Sequence, residues 1–214
     1  MPRTPRLAVP DWHGLSPSQL AYLIRRYTDT DGVVLDLDAH PSAIAATAYL
    51  GRIPARLITG RHGPHVQLLT SEPGHRTHRA ARRPCMCVDL ILATLPQEPQ
   101  AHDANGAATA MRTWRPLLRP GGFLLVGVTA QRPGPGEVSY RATVIAAARA
   151  AGLYYHQHIP AVLAPLPEDE PRTTPNHLGE ADDGRRLLAG RHLPTFRDLL
   201  AFGTTATGEE TADV

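Results

Sequence analysis

The sequence predicts an α/β fold, a Rossmann-like doubly wound sheet of seven mostly parallel strands with an antiparallel terminal strand. Three observations predict it. Short apolar runs alternate with helical segments along much of the 214 residues, the order that builds a parallel sheet covered on both faces. Val33-Val34-Leu35-Asp36-Leu37 is apolar at successive positions and not at alternate ones, as in a parallel strand buried on both sides. The last two strands have no helix between them, so the seventh is expected to return antiparallel to the sixth.

Residues 1–15 carry Pro2, Pro5 and Pro10 and read as an extended arm. Ser16 or Ser18 caps a helix with Leu20, Leu23 and Ile24 at helical spacing, ending near Tyr27. Thr28 to Gly32 is a turn, and Val33 to Leu37 the first strand. Pro41 to Leu50 is an alanine-rich helix with proline in its first turn, ended by Gly51. Ala55 to Thr59, Val66 to Thr70 and Cys87 to Ala93 are the next three strands. Ala104 to Leu118 is a helix broken by Arg119-Pro120-Gly121-Gly122, before a fifth strand from Phe123 to Val128. Val138 to Ala151 is a helix stopped by Gly152, Tyr154 to Leu163 the sixth strand and Phe196 to Phe202 the seventh. One domain thus spans residues 16–203, with a long loop insertion at 165–194 and a disordered tail at 204–214.

Composition narrows the function classes. Apolar residues make up 42% and charged residues 20%, which suits a globular chain and neither a membrane protein nor a disordered one. The first twenty residues lack the apolar core of a secretory signal, and two cysteines are too few for a disulfide framework. A cytoplasmic setting is expected. All 22 basic residues are arginine, a sign of codon bias that lowers the meaning of any single one.

Several groupings have both a chemical and a plain reading. Cys85 and Cys87 share a face if that stretch is already strand, but lack two further ligands at zinc spacing, so small buried side chains are the expectation. His156 and His158 also share a face, and strand packing or edge polarity is expected over metal binding. Arg52 to Arg83 holds seven arginines, four histidines and one acid. It reads either as an electrostatic footprint for nucleic-acid phosphates or as codon-biased surface. Glu168 to Asp183 has six acids against one arginine, and reads as a solvated loop or as a lid.

The order of elements, with its terminal strand pair, resembles the class I S-adenosylmethionine-dependent methyltransferases. Leu20 to Thr28, a turn, then Val33 to Asp36 resembles the entry of DNA N4/N6 methylases. Leu117-Leu118-Arg119-Pro120-Gly121-Gly122 is similar to the element before their fifth strand, and Ala150 to Ile159 to their sixth-strand region. The resemblance implies S-adenosylmethionine as cofactor, met by Asp36, Asp38, Ala39 and His40 after the first strand and by Glu72 after the third. It implies catalytic roles for Thr94 and Pro96 after the fourth strand, where such methylases hold the target amine and stack the flipped base. The chain departs from the pattern at both places. Asp36-Leu37-Asp38-Ala39-His40-Pro41-Ser42 contains none of the glycines that let backbone approach a cofactor. Thr94-Leu95-Pro96-Gln97 keeps the proline but not the aromatic. Two functions follow, a methyltransferase acting on DNA or another nucleic acid, or a catalytically inactive binding or regulatory protein on the same scaffold.

Overall fold

The computed structural model describes residues 12–61, 63–69, 87–96, 104–128, 138–162 and 196–205. A 3-10 turn, Trp12–Gly14, precedes helix α1 (Pro17–Tyr27), strand β1 (Val33–Asp36), α2 (Pro41–Tyr49), β2 (Ile53–Gly60) and β3 (Gly63–Leu68). Then follow β4 (Val88–Leu95), α3 (Ala104–Trp114), a 3-10 turn Arg115–Leu117, β5 (Leu118–Val128), α4 (Tyr140–Ala150), β6 (Tyr154–Val162) and β7 (Phe196–Gly203). The seven strands form one sheet in the order β3-β2-β1-β4-β5-β7-β6.

Strands β1, β2, β4 and β5 pair in parallel, and β7 runs against both β5 and β6, the antiparallel return expected of the last strand. One pairing differs from expectation. β3 is antiparallel to β2, with Gly60 opposite Gly63 and Ala55 opposite Leu68. Two residues between strands can close a hairpin but cannot carry a crossover. β3 therefore ends beside the start of β2, at the opposite edge of the sheet from the end of β1.

Alternation along the strands splits the core into two layers. Leu35, Ile91, Ala93, Leu124, Val126, Leu200 and Phe202 pack on one face with Met111, Trp114, Val144 and Ala148 of α3 and α4. Val34, Leu90, Leu92, Leu125, Leu199 and Ala201 pack on the other with Leu20, Leu23, Ile24, Ala43 and Ala46 of α1 and α2. Trp12 and Leu15 belong to this second layer, each 2% exposed. The segment expected as the end of an extended arm is thus folded onto the sheet. Ser16 starts α1 with a capping box to Gln19, which satisfies the first amides of the helix.

The proline-glycine element lies inside β5 and not before it. A side chain at Gly122 would stand 3.0 Å from the carbonyl oxygens of Arg119 and Val88, so a larger residue there would push on the backbone of two neighbouring segments. Beyond β7, Thr204 is buried and donates through its amide to the Gly122 carbonyl, so the chain stays paired past the expected end of the domain. The 165–194 insertion, Cys85 and Glu72 lie outside the described residues. No helix among those described is long and apolar enough to cross a membrane.

A bulge at Tyr155/Gln157 breaks the period-two expectation for β6. His156 stacks edge-on against Phe123, while His158 bonds Asp198 at 2.5 Å beside Arg141 of α4. The two histidines therefore serve opposite faces. Cys87 is half-buried against the α3/α4 layer, as a small apolar side chain would be.

Candidate functional site

In an open α/β sheet, ligands sit beyond the carboxyl ends of the parallel strands, where the chain order reverses. Here that point lies between β1 and β4, which lead to Asp36 and Thr94.

Asp36 is the last residue of β1 and is 4% exposed. Its two carboxylate oxygens accept from the amides of Asp38 (3.0 Å) and His40 (2.5 Å), folding the turn back over the strand end. Burial pushes its pKa up to about 6; the two backbone hydrogen bonds act in the opposite sense, and the neighbouring charge of Asp38 adds to the rise. Ala39 completes the turn with φ 52°, in the left-handed region that favours glycine. His40 precedes α2 and holds the Ser42 hydroxyl through Nδ1 at 2.8 Å.

Asp38 reaches across to β4. Thr94 donates its hydroxyl to Asp38 Oδ2 (2.5 Å) and its amide to Oδ1 (3.3 Å), and Trp12 Nε1 donates to Oδ2 at 2.9 Å. His13 Nε2 lies 2.9 Å from Thr94 Oγ1. Since the threonine proton is directed at Asp38, hydrogen-bond accounting assigns the proton at this contact to His13 Nε2. One chain of donors thus runs from His13 through Thr94 to Asp38, with Trp12 closing it from the other side. The His13 ring covers Gly127 of β5 so closely that any Cβ there would overlap it. His13 is held neutral. Burial pulls its pKa down to about 4, the Asp38 charge opposes this, and Arg197 and His40 add to the fall.

Of the residues expected to meet a cofactor or substrate, the fold gathers Asp36, Asp38, Ala39, His40 and Thr94 at one edge. Pro96 follows buried, after a cis peptide bond with Leu95. Glu72 is outside the described residues, and β3 departs toward the opposite edge. Trp12, His13 and Gly127 join the site without a signal in the sequence. The Trp-His pair lies in a proline-bearing stretch without periodicity, and nothing local ties Trp12 to Asp38, 26 positions away, or His13 to Thr94, 81 positions away.

Within Arg52–Arg83, Arg52 donates to the Leu50 carbonyl at 2.6 Å and to the Thr28 carbonyl at 3.0 Å, which fixes the α2–β2 connection. Arg56 and Arg61 are exposed. No group of three or more metal-ligating side chains occurs among the described residues.

The strand order, with β7 inserted in reverse between β5 and β6, decides the architecture. The fold is a Rossmann-like α/β sheet of seven strands with helices on both faces. No protein-family model matches the chain, and no curated protein is similar to it. Among solved structures, an S-adenosylmethionine-dependent methyltransferase from Methanosarcina mazei is 10% identical over 86% of this chain and 97% of its own, with TM-score 0.47. A protein from Thermus thermophilus described as a putative DNA modification methylase is 15% identical over 61% of this chain, TM-score 0.35. The alignment spans 50% of that methylase's own length. The [4+2]-cyclase SpnF is 12% identical over 94% of this chain and 89% of its own, TM-score 0.44. At these identities and scores the likenesses add nothing to what the strand order shows.

The residues present do not fit S-adenosylmethionine in this conformation. The turn after β1 carries a methyl group where a close backbone approach needs glycine. The Asp36 oxygens are taken by turn amides, and the Asp38 oxygens by Thr94 and Trp12. The floor at Gly127 is covered by His13.

Proposed function

We propose that this chain is a methyltransferase-fold protein that acts as a binding or regulatory protein and does not methylate bases. The observation that carries the reading is the chain His13–Thr94–Asp38–Trp12, which satisfies the polar groups of the crevice from within. A base methylase needs an open acceptor and a stacking ring after β4. Here the Thr94 hydroxyl already donates to Asp38, and Gln97 stands where the ring is expected.

The proposed partner is a nucleic acid, met through the arginine-rich stretch beginning at Arg56. The exposed guanidinium groups of Arg56 and Arg61 support this, whereas Arg52 is committed to backbone carbonyls. A second reading, methyl transfer to some other acceptor, is favoured by the shape of the first turn. Ala39 keeps the left-handed backbone that a glycine would supply, so the loop follows that path without one.

The test is titration of the full chain with S-adenosylmethionine and S-adenosylhomocysteine at millimolar concentration, by calorimetry and thermal unfolding. A ligand that prefers the native state must raise Tm by mass action. The closed crevice predicts no heat and no shift with the wild type. Saturable binding accompanied by methyl transfer would establish the second reading.

A further inference from the structure

We propose that the groove between α4 and β6 is a binding site for single-stranded nucleic acid, with Tyr154 and Tyr155 stacking its bases and Arg149 meeting its phosphates. The proposal rests on the reading above for the class of partner alone. The surface is a different one, at the far end of the sheet from Arg56 and Arg61, since β6 closes the strand order that β3 and β2 open.

The charge of this half of the molecule is one-sided. Residues 104–128 and 138–162, which build α3, β5, α4 and β6, contain five arginines and no aspartate or glutamate. The 20 acidic residues of the chain all lie elsewhere. Codon bias explains why the cations are arginine, but not why the acids avoid this half. Arg119 is paired with Asp89 and Arg141 with Asp198. Arg112 donates within its own helix, to the Ala108 carbonyl. Arg149 is exposed in the last turn of α4, with no ion pair or hydrogen bond among the described residues. The helix dipole accounts for a cation at that position. It does not account for the two exposed rings beside it.

Those rings stand on the last strand of the sheet. Ile145 and Arg149 of α4, Gly152 and Leu153 of the turn, and Tyr154 and Tyr155 of β6 line a half-open groove of about 500 Å3. That volume is within the range of small-ligand sites. Tyr154 is 49% exposed and Tyr155 43%. Tyr154 lies opposite Gly203 of β7, which offers no side chain for a cross-strand contact. Tyr155 is held edge-on against Phe202, with ring centroids 6.0 Å apart. Exposed aromatic rings stack on the flat faces of unpaired bases whatever the sequence, and a neighbouring arginine follows the backbone. Bases in a duplex are already stacked on one another, so the groove selects single strands. An acidic peptide would satisfy Arg149 but gives the rings no flat partner.

The experiment is fluorescence anisotropy of the full chain with a short labelled DNA single strand of mixed sequence, the same strand annealed as duplex, and polyglutamate as competitor. The wild type is expected to bind the single strand more tightly than the duplex. Tyr154→Ala should weaken the single strand about tenfold, and Tyr154→Phe should leave it unchanged, because the ring and not the hydroxyl stacks. Arg149→Ala should lower the slope of log affinity against log salt by about 0.7, one phosphate contact of a single strand. Far-ultraviolet circular dichroism identifies a variant that fails to fold, in which case the others decide. Single-strand binding that is lost on combining Arg56→Ala with Arg61→Ala, and unchanged in Tyr154→Ala, overturns the groove and leaves the reading above standing. The reverse pattern upholds the groove and removes Arg56 and Arg61 from the interface. Displacement by polyglutamate at matched charge, with Tyr154→Ala behaving as wild type, overturns the nucleic acid in favour of an acidic peptide. A wild type that binds no strand at low salt overturns both.

Discussion

The two edges of the sheet each hold a buried aspartate, and they use it differently. At the amino edge, Asp89 accepts from the Val33 amide at 2.8 Å and pairs with Arg119, which also lies near Asp29. A carboxylate there meets a cation and a backbone donor from the adjoining strands β1 and β5, and the arrangement needs nothing from outside the sheet. At the carboxyl edge, Asp36 meets only backbone amides, and Asp38 meets neutral donors, two of them on Thr94 and one on the N-terminal turn. The first edge is built as structure, with a charge neutralised where it stands. The second has two carboxylates with no ion pair among the described residues, a neutral buried histidine and a strained alanine, features that gather at ligand crevices more often than in plain framework.

The strongest perturbation separates the edges by what holds them. Trp12→Ala removes a side chain that is 2% exposed and leaves a cavity in the α1/α2 layer, at a cost of about 3–5 kcal/mol. Trp12→Phe, which keeps most of the ring and loses the indole donor to Asp38, should cost only about 1–2 kcal/mol. Urea unfolding of the two variants checks the order. Equal losses would mean that the hydrogen bond to Asp38, and not packing, holds the turn.

The next effect lies in pH and belongs to the carboxyl edge. Asp36 titrates at about 6 in the fold against 3.8 unfolded, so folding takes up a proton between these values and stability rises as pH falls through 6. His13 titrates at about 4 against 6.5 unfolded, so folding releases a proton in nearly the same window and stability falls as pH falls below 6.5. The two oppose each other in the wild type. Asp36→Asn leaves His13 alone, and relative to the wild type its stability should fall by up to about 1.4 kcal/mol per pH unit between about pH 6 and 4. Urea midpoints measured across that range should therefore diverge toward acid, and parallel curves would show that one of the two groups is not buried as described.

How much of this is legible in the sequence follows from the range of each interaction. The order of elements, the two long helices after β4 and the reversed β7 are set by local periodicity and loop length, and the structure agrees with them. The β2–β3 hairpin is not legible as a hairpin, because the apolar runs Ala55–Thr59 and Val66–Thr70 leave a long gap between them. The strands themselves extend to Gly60 and from Gly63, through residues with no strand preference of their own. At the site, Asp36 and Thr94 are legible because strand ends in an open sheet mark the crevice. Trp12 and His13 are not, because their partners lie on β4, on β5 and in the loop before α2, and no spacing rule spans such distances.

The mildest change probes the strain at the first turn. Ala39→Gly should raise stability by about 0.5–1 kcal/mol, since relief of the left-handed penalty outweighs the added freedom of the unfolded chain. The amino edge provides the contrast. Gly51→Ala, at φ 69° with open space around it, should lose a similar amount. Thermal unfolding of the two variants should move Tm in opposite directions, and a loss at both would mean that Ala39 is not strained.

Closure of the crevice by the N-terminal turn can be read from the exchange rate of the Trp12 indole proton. That proton is donated to Asp38 Oδ2 within a buried contact, so it can exchange only when the turn leaves its seat. A closed crevice predicts slow exchange in the wild type at neutral pH and much faster exchange in Gly127→Ala. Free exchange in the wild type, at the rate of an exposed indole, would contradict closure.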